Sequence, residues 1–273
     1  MCVRVGARTF IPMIAFTREV SPSIVRCELT HLTRIPIDLD QARTQHRAYE
    51  AALASLGCRV RRLPETPDLP DSVFVQDAAF VFDEVAVVAR PGADSRRAET
   101  ATVAAALESL RPIRFIEPPG TLDGGDVVCL GRSVCIGQTA RTNADGARQV
   151  AAILGPLGYS VRPVRVTGCL HLQTAVTPVA DRMILVNRAW VDPTAFGDVE
   201  VVDVDAAERF AANALRVGDA LVYPDSFPRT RARIEARGLR VVPVDMSELA
   251  KAEAGVTCCC LLVPAAVPGR ATT

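Results

Sequence analysis

The chain is almost without lysine: of its 31 basic residues, Lys251 alone is not an arginine. The 31 acidic residues bring the formal net charge to zero, which leaves no basic footprint for a phosphate backbone. No nucleic-acid partner is expected, and the arginine bias reflects coding composition better than function. No apolar run approaches the roughly 20 residues of a membrane-spanning helix, so no membrane partner is expected either. Histidine is scarce, with three copies, His31, His46 and His171, so few side chains can change charge near neutral pH. The nine cysteines are odd in number and scattered, and no pair has the spacing of a zinc knuckle. Without a convincing signal peptide they read as free thiols in a reducing cytoplasm.

What is present is a 49% hydrophobic chain of 273 residues, enough for a large core. Residues 1–19 read as an N-terminal extension, residues 20–264 as one catalytic domain, and residues 265–273 as a flexible tail. Asp38 to Leu56 has a capping aspartate, apolar residues at helical intervals and Gly57 as a stop. Val20 to Leu29 reads as extended. Ser72 to Phe82 and Val85 to Ala89 read as a hairpin over Asp83-Glu84. Further hairpins fall over Gly131-Arg132 and Ala180-Asp181, with helices over 96–110, 142–157, 206–216 and 228–237. The unit of strand, hairpin, helix and strand recurs about every 45 to 55 residues, a period that suggests a propeller or array. An open doubly wound sheet would alternate strictly between strand and helix, and the hairpins argue against it.

Six stretches carry candidate chemistry. Thr257-Cys258-Cys259-Cys260 opens an apolar run read as the last strand, so Cys258 and Cys260 would share one face and Cys259 take the other. A cysteine here is either a small core residue or a thiolate nucleophile. Asp71 and Asp77 bracket an apolar segment: either turn and edge aspartates, or a pocket for a cationic ligand. In Leu122-Asp123-Gly124-Gly125-Asp126 the paired glycines permit close backbone approach beside a carboxylate. The loop is either plain or a catalytic or metal-binding one, though calcium-loop spacing is absent. His171 stands among apolar residues, as a satisfied core histidine or as a general acid or base. Arg96 and Arg141 each follow a hairpin and precede a helix, as solvated caps or as carboxylate clamps.

Taken in order, Glu28-Leu29, Pro70 to Ala79, Val87 to Arg97, Leu122 to Val127, Gly137 to Asn143, Leu170 to Ala175 and Met246 to Cys259 resemble the dimethylarginine dimethylaminohydrolase family. That family belongs to the guanidino-group-modifying (pentein) superfamily. The resemblance runs from about Val20 to Val263 and implies an α/β fold, a five-bladed propeller of pseudo-fivefold ββαβ units. It implies Cys258 as nucleophile, His171 as general acid and base, and Asp123 as the carboxylate beside it. Asp71, Gln76 and Asp77 would face the guanidinium, and Arg96 and Arg141 the substrate carboxylate. The carbonyls of Leu29 and Ala252 would take the α-amino group, with Leu29 on a mobile loop. The implied reaction is hydrolysis of N-methylated arginine to citrulline and a methylamine through a covalent thiouronium, with no metal or organic cofactor; the alternatives are a hydrolase of free arginine or another guanidine, or a catalytically weak guanidine-binding propeller. The partner is a small guanidine, and a homodimer stays open. Three positions depart from the family: Gln76 stands where it usually has glutamate, and Gln173 where it often has lysine. Gln173 also argues against arginine deiminases, which usually carry aspartate there. Cys260 replaces a usual serine.

Overall fold

In the computed structural model, which describes residues 12–265, five three-stranded sheets follow one plan. The first holds β1 (Met13–Thr17) parallel to β2 (Cys58–Arg62), joined by α1 (Leu39–Ser55). In the second, β3 (Ala79–Val81) pairs antiparallel with β4 (Ala86–Val88), and α2 (Thr100–Leu107) carries the chain to β5 (Ile113–Phe115), parallel to β4. The third repeats this with β6 (Val127–Leu130), β7 (Ser133–Gln138), α3 (Ala144–Leu154) and β8 (Ser160–Arg165). A single turn, α4 (Leu172–Ala175), leads to the fourth: β9 (Val176–Ala180), β10 (Met183–Val186) and β11 (Glu200–Asp203), with a short 3-10 turn, Pro193–Phe196, as its crossover. The fifth holds β12 (Leu215–Val217), β13 (Ala220–Pro224), α5 (Pro228–Glu235) and β14 (Arg240–Val244). After α6 (Ser247–Ala250), β15 (Leu261–Pro264) returns to pair antiparallel with β1 and completes the first sheet.

Each unit is thus an antiparallel hairpin followed by a crossover to a parallel strand, the connection a parallel pair requires. The inner strands β3, β6, β9, β12 and β15 contribute Phe80, Val127, Pro178, Leu215 and Leu261 to one central channel of about 1000 Å³. This is the expected five-bladed ββαβ propeller. The α1 helix shows why the sequence pattern works. Asp38 accepts a hydrogen bond from the Gln41 amide, and Ala42, Tyr49 and Leu53 are fully buried on one face. The Tyr49 hydroxyl donates to the Val256 carbonyl at 2.7 Å, tying the helix to the segment before the cysteines.

Several expectations are corrected. The extension drawn over 1–19 contains β1, whose Ala15 and Phe16 are buried and whose edges pair with both β15 and β2. The domain therefore begins before residue 20. Residues 1–11 and 266–273, most of the expected tail among them, lie outside the described residues. Val20 to Leu29 forms no strand; the Ser21 hydroxyl and carbonyl accept the amides of Ser23 and Ile24 and turn the chain into a 3-10 segment, Ile24–Arg26. The strand expected from Ser72 starts only at Ala79, and Asp77 lies in a 3-10 turn, Val75–Ala78. The helix expected over 206–216 is absent. There the Ala211 and Ala212 carbonyls accept from Tyr223 and Thr177 across the core instead of from the next helical turn. The three cysteines precede β15 and sit in a turn, so strand alternation does not sort them. Burial does: Cys259 and Cys260 are buried, and Cys258 is only partly so.

Candidate active site

One cleft of about 280 Å³ gathers Asp71, Asp77, Arg96, Arg141, His171, Ala252 and Cys258, with Glu28, Phe74, Leu170, Glu253 and Ala254 around them. Its residues come from the 3-10 turn before β3, the loops after β4 and β7, the entry to α4 and the turn before β15. Each loop leaves its blade at the same end of the ring, which is how positions 187 residues apart meet.

His171 precedes α4 and is buried. Its Nε2 lies 3.0 Å from Asp123 Oδ2, and its Nδ1 is 3.8 Å from Asp77 Oδ1. Burial alone would lower its pKa, but Asp77, the hydrogen bond to Asp123 and the charge of Asp126 raise it to about 9. It is therefore an imidazolium at neutral pH. Asp123 is fully buried, accepts from the Gly92 amide at 2.9 Å, and is 3.6 Å from Arg141 Nη1. Burial works against its charge, but His171, Arg96 and the Gly92 amide keep its carboxyl below the ordinary value.

The glycines at 124 and 125 are needed for close approach. A Cβ on Gly125 would lie 2.7 Å from His171 Nδ1 and 2.8 Å from Asp77 Oδ1, and one on Gly124 would sit 2.0 Å from the Gln76 carbonyl oxygen. The Gly125 amide itself donates to Asp77 Oδ1 at 3.1 Å. Asp126, at the end of this loop, takes no part in the cleft. It accepts from Thr139, Thr142 and the Leu172 amide, so it fixes the peptide next to His171. Burial pushes its pKa up to about 6.

Cys258 Sγ accepts from the Gly255 amide at 3.4 Å. Burial, with Asp77 nearby, nevertheless pushes the thiol up to about 12. In the unliganded cleft Cys258 is thus a thiol, beside acids that favour any cation that enters. Asp71 accepts the Glu28 amide on both oxygens, which ties the 28–34 loop to the cleft; burial raises its pKa.

The two arginines differ. Arg96 is spent on structure: its Nη1 donates to Asp77 at 2.7 Å, while Nε and Nη2 donate to Glu99. Burial opposes its charge, but Glu99 and Asp77 outweigh that and raise its pKa well above the ordinary value. Glu99, invisible as a site residue in the sequence, is what permits this buried cation. Arg141 keeps a buried Nη1 with no hydrogen-bond partner and reaches Thr30 Oγ1 through Nη2 at 3.3 Å. It is the freer anion-binding group.

Gln76 is a correction. Its side chain lines the central channel with Gln173, Thr257 and Cys260, not the cleft. Its amide reaches the Cys258 carbonyl at 3.2 Å, and its buried Oε1 has no partner. Side chains along a 3-10 turn diverge, so adjacent Gln76 and Asp77 face opposite sides of the floor. Leu29 is half-buried and does not itself line the cleft, though its neighbour Glu28 does.

Asp77, Asp123 and His171 each offer a ligand atom within 4.8 Å of the others. Those atoms already face one another, Arg96 and two backbone amides. A larger cavity of about 790 Å³, lined by Phe210, Phe227 and Met246, lies across Leu170, Glu253 and Ala254 and contains no arginine. Among the described residues no helix is long and apolar enough to cross a membrane.

No family model matches the chain. Curated relatives do. The N(G),N(G)-dimethylarginine dimethylaminohydrolase of Pseudomonas aeruginosa is 38% identical over 223 residues, 81% of this chain and 88% of the relative. That of Streptomyces coelicolor is 38% identical over 246 residues, 89% and 94% of the two chains. The solved structure of a cysteine-to-serine variant of the Pseudomonas aeruginosa enzyme complexed with citrulline superposes with a TM-score of 0.88 at 35% identity, covering 93% of this chain and all of that one. The N-terminal domain of a cyanobacterial arginine dihydrolase shares the fold, with a TM-score of 0.84 at 18% identity.

Proposed function

The chain belongs to the dimethylarginine dimethylaminohydrolase family, and on that premise we propose the following reaction and residue roles. The enzyme hydrolyses N-methylated L-arginine to L-citrulline and a methylamine. The observation that carries this reading is the meeting, in one small cleft, of a partly buried thiol, an imidazolium and two carboxylates suited to a guanidinium.

Asp71 and Asp77 bind the guanidinium, and Arg141 takes the substrate carboxylate with what remains of Arg96. The cation then does work of its own. Placed against Cys258 it favours the thiolate, the thiol proton passing to solvent, and offsets the burial and the Asp77 charge that hold the free thiol up. The thiolate attacks the guanidinium carbon and forms a C–S bond. His171 gives its proton to the departing amine as the C–N bond breaks, because a neutral amine leaves and an amide anion does not. Asp123 holds the ring through Nε2 throughout. The neutral imidazole next takes a proton from water, the hydroxide adds to the thiouronium carbon, and the C–S bond breaks to give citrulline. No step calls for a metal or organic cofactor. Free thiols at every described cysteine suit a cytoplasmic location.

The test is citrulline release from a panel of dimethylarginine, monomethylarginine and arginine. Preference for the methylated substrates, with a mass adduct on Cys258 from a guanidine-like inactivator, is the expected result. Release from arginine alone would overturn the substrate, and an adduct elsewhere the nucleophile.

A further inference from the structure

Glu253 is the one described residue other than glycine with a left-handed backbone, at φ 59°. Such a conformation costs a side-chain-bearing residue about 1 kcal/mol, so the position asks for a reason. Its side chain supplies one. Glu253 Oε1 accepts three successive backbone amides of the 28–34 loop: Thr30 at 3.0 Å, His31 at 2.5 Å and Leu32 at 2.6 Å. Its other oxygen, Oε2, is buried with no partner, and the residue lines the cleft.

A trans peptide points its N–H and its C=O in opposite directions. With the Thr30 N–H held on Glu253, the Leu29 carbonyl must face away from that carboxylate. The same holds one step along the chain. The Glu253 amide donates back to the Ala250 carbonyl at 3.1 Å, so the Ala252 carbonyl is turned the other way. Among the described residues neither the Leu29 nor the Ala252 carbonyl oxygen accepts a hydrogen bond. Glu253 therefore fixes, through its side chain, one free carbonyl on the loop and, through its backbone, another on the turn before Cys258.

We propose that Glu253 is the positioning residue for the substrate's α-ammonium group: it presents the Leu29 and Ala252 carbonyls as a pair and latches the loop that carries the first. This rests on the reading of the substrate as an α-amino acid bearing a guanidine. A carboxylate accepting several amides forms charge-assisted bonds, stronger than neutral ones, so the latch holds without covering the cleft.

The test compares dimethylarginine with the same molecule lacking its α-amino group, in the full chain. Glu253→Gly and Glu253→Asn both suit the left-handed backbone, and neither reaches the loop amides, so either folded variant decides. Glu253→Gln keeps an acceptor oxygen. For Gly and Asn, KM for dimethylarginine should rise about tenfold or more, the scale of a lost charge-assisted contact, with a smaller effect on kcat. KM for the des-amino substrate should stay within about twofold, and Gln should restore most of the selectivity. An equal rise in KM for both substrates, or no rise for either, overturns the proposal. A native chain that releases no citrulline from dimethylarginine overturns the substrate reading instead, and the two failures are distinct.

Discussion

Asn213 and Thr257 hold each other by a reciprocal pair of hydrogen bonds: Asn213 Nδ2 donates to Thr257 Oγ1 at 2.8 Å, and the Thr257 amide donates to Asn213 Oδ1 at 3.0 Å. The same Nδ2 reaches the Gln173 carbonyl at 3.0 Å. One buried amide thus joins α4, the turn that follows His171, to the residue before Cys258. Asn213→Ala should leave buried donors and acceptors unmatched and cost about 1–3 kcal/mol. Activity should fall with Tm. An unchanged Tm would show that the turn before Cys258 is held by other contacts.

The cysteines should separate cleanly. Cys258→Ser should abolish turnover. Cys259→Ser and Cys260→Ser, which put a hydroxyl into fully buried sites, should keep the chemistry and lose about 1–3 kcal/mol of stability. Steady-state rates and denaturant midpoints of the three variants check this; full activity in Cys258→Ser sinks the mechanism.

His171→Ala should lose roughly 10²-fold or more in kcat, the usual worth of general acid–base help. A rise in KM with kcat preserved would make it a binding residue. The raised pKa of about 9, against an ordinary 6.5, also sets a stability window. The imidazolium's contribution is complete below pH 6.5 and is lost as pH rises through 9, because there the unfolded chain releases a proton that the folded chain retains. Tm should fall across that window more steeply in the native chain than in His171→Gln, and equal slopes would contradict the assignment.

Gln76 and Gln173 line the same channel. Gln76→Glu alone should put an uncompensated carboxylate there and lower Tm, while KM changes by less than about threefold, since binding loss follows contacts in the cleft. Adding Gln173→Lys should recover stability, with a coupling of about 0.5–3 kcal/mol in a double-mutant cycle. Additive effects would mean that the two glutamines do not act as a pair.

Much of this was legible in the chain. The repeat of hairpin, helix and strand gave the propeller, because each blade closes its hydrogen bonds locally and so leaves a local pattern. Asp123, His171 and Cys258 stood out as polar or reactive residues in apolar or glycine-rich settings. What stayed hidden depends on contacts remote in sequence. Glu99 reads as an ordinary acid near a helix start until Arg96 folds onto it. Asn213 lies in a segment with helical composition, and only the Thr177, Tyr223 and Thr257 contacts overrule that propensity. Gln76 sits beside Asp77 in sequence, yet a 3-10 turn, unseen in the apolar run, sends it to the opposite side. Glu253 carries no motif; its role comes from a backbone angle.

The strand that completes the ring is also the last of the described strands in chain order. β15 pairs with β1, the Ala265 amide meets the Pro12 carbonyl at 2.8 Å, and Cys258 lies three residues before that strand begins. A growing chain can assemble its four other blades and every acid and base of the cleft before the thiol exists to be placed among them. The thiol therefore joins the cleft only after its other lining residues have been made. Because both ends of the described chain meet in one blade, linking them and opening the Asp181 hairpin between β9 and β10 should give a permuted enzyme in which the thiol arrives mid-synthesis, and the order of assembly becomes an experimental variable.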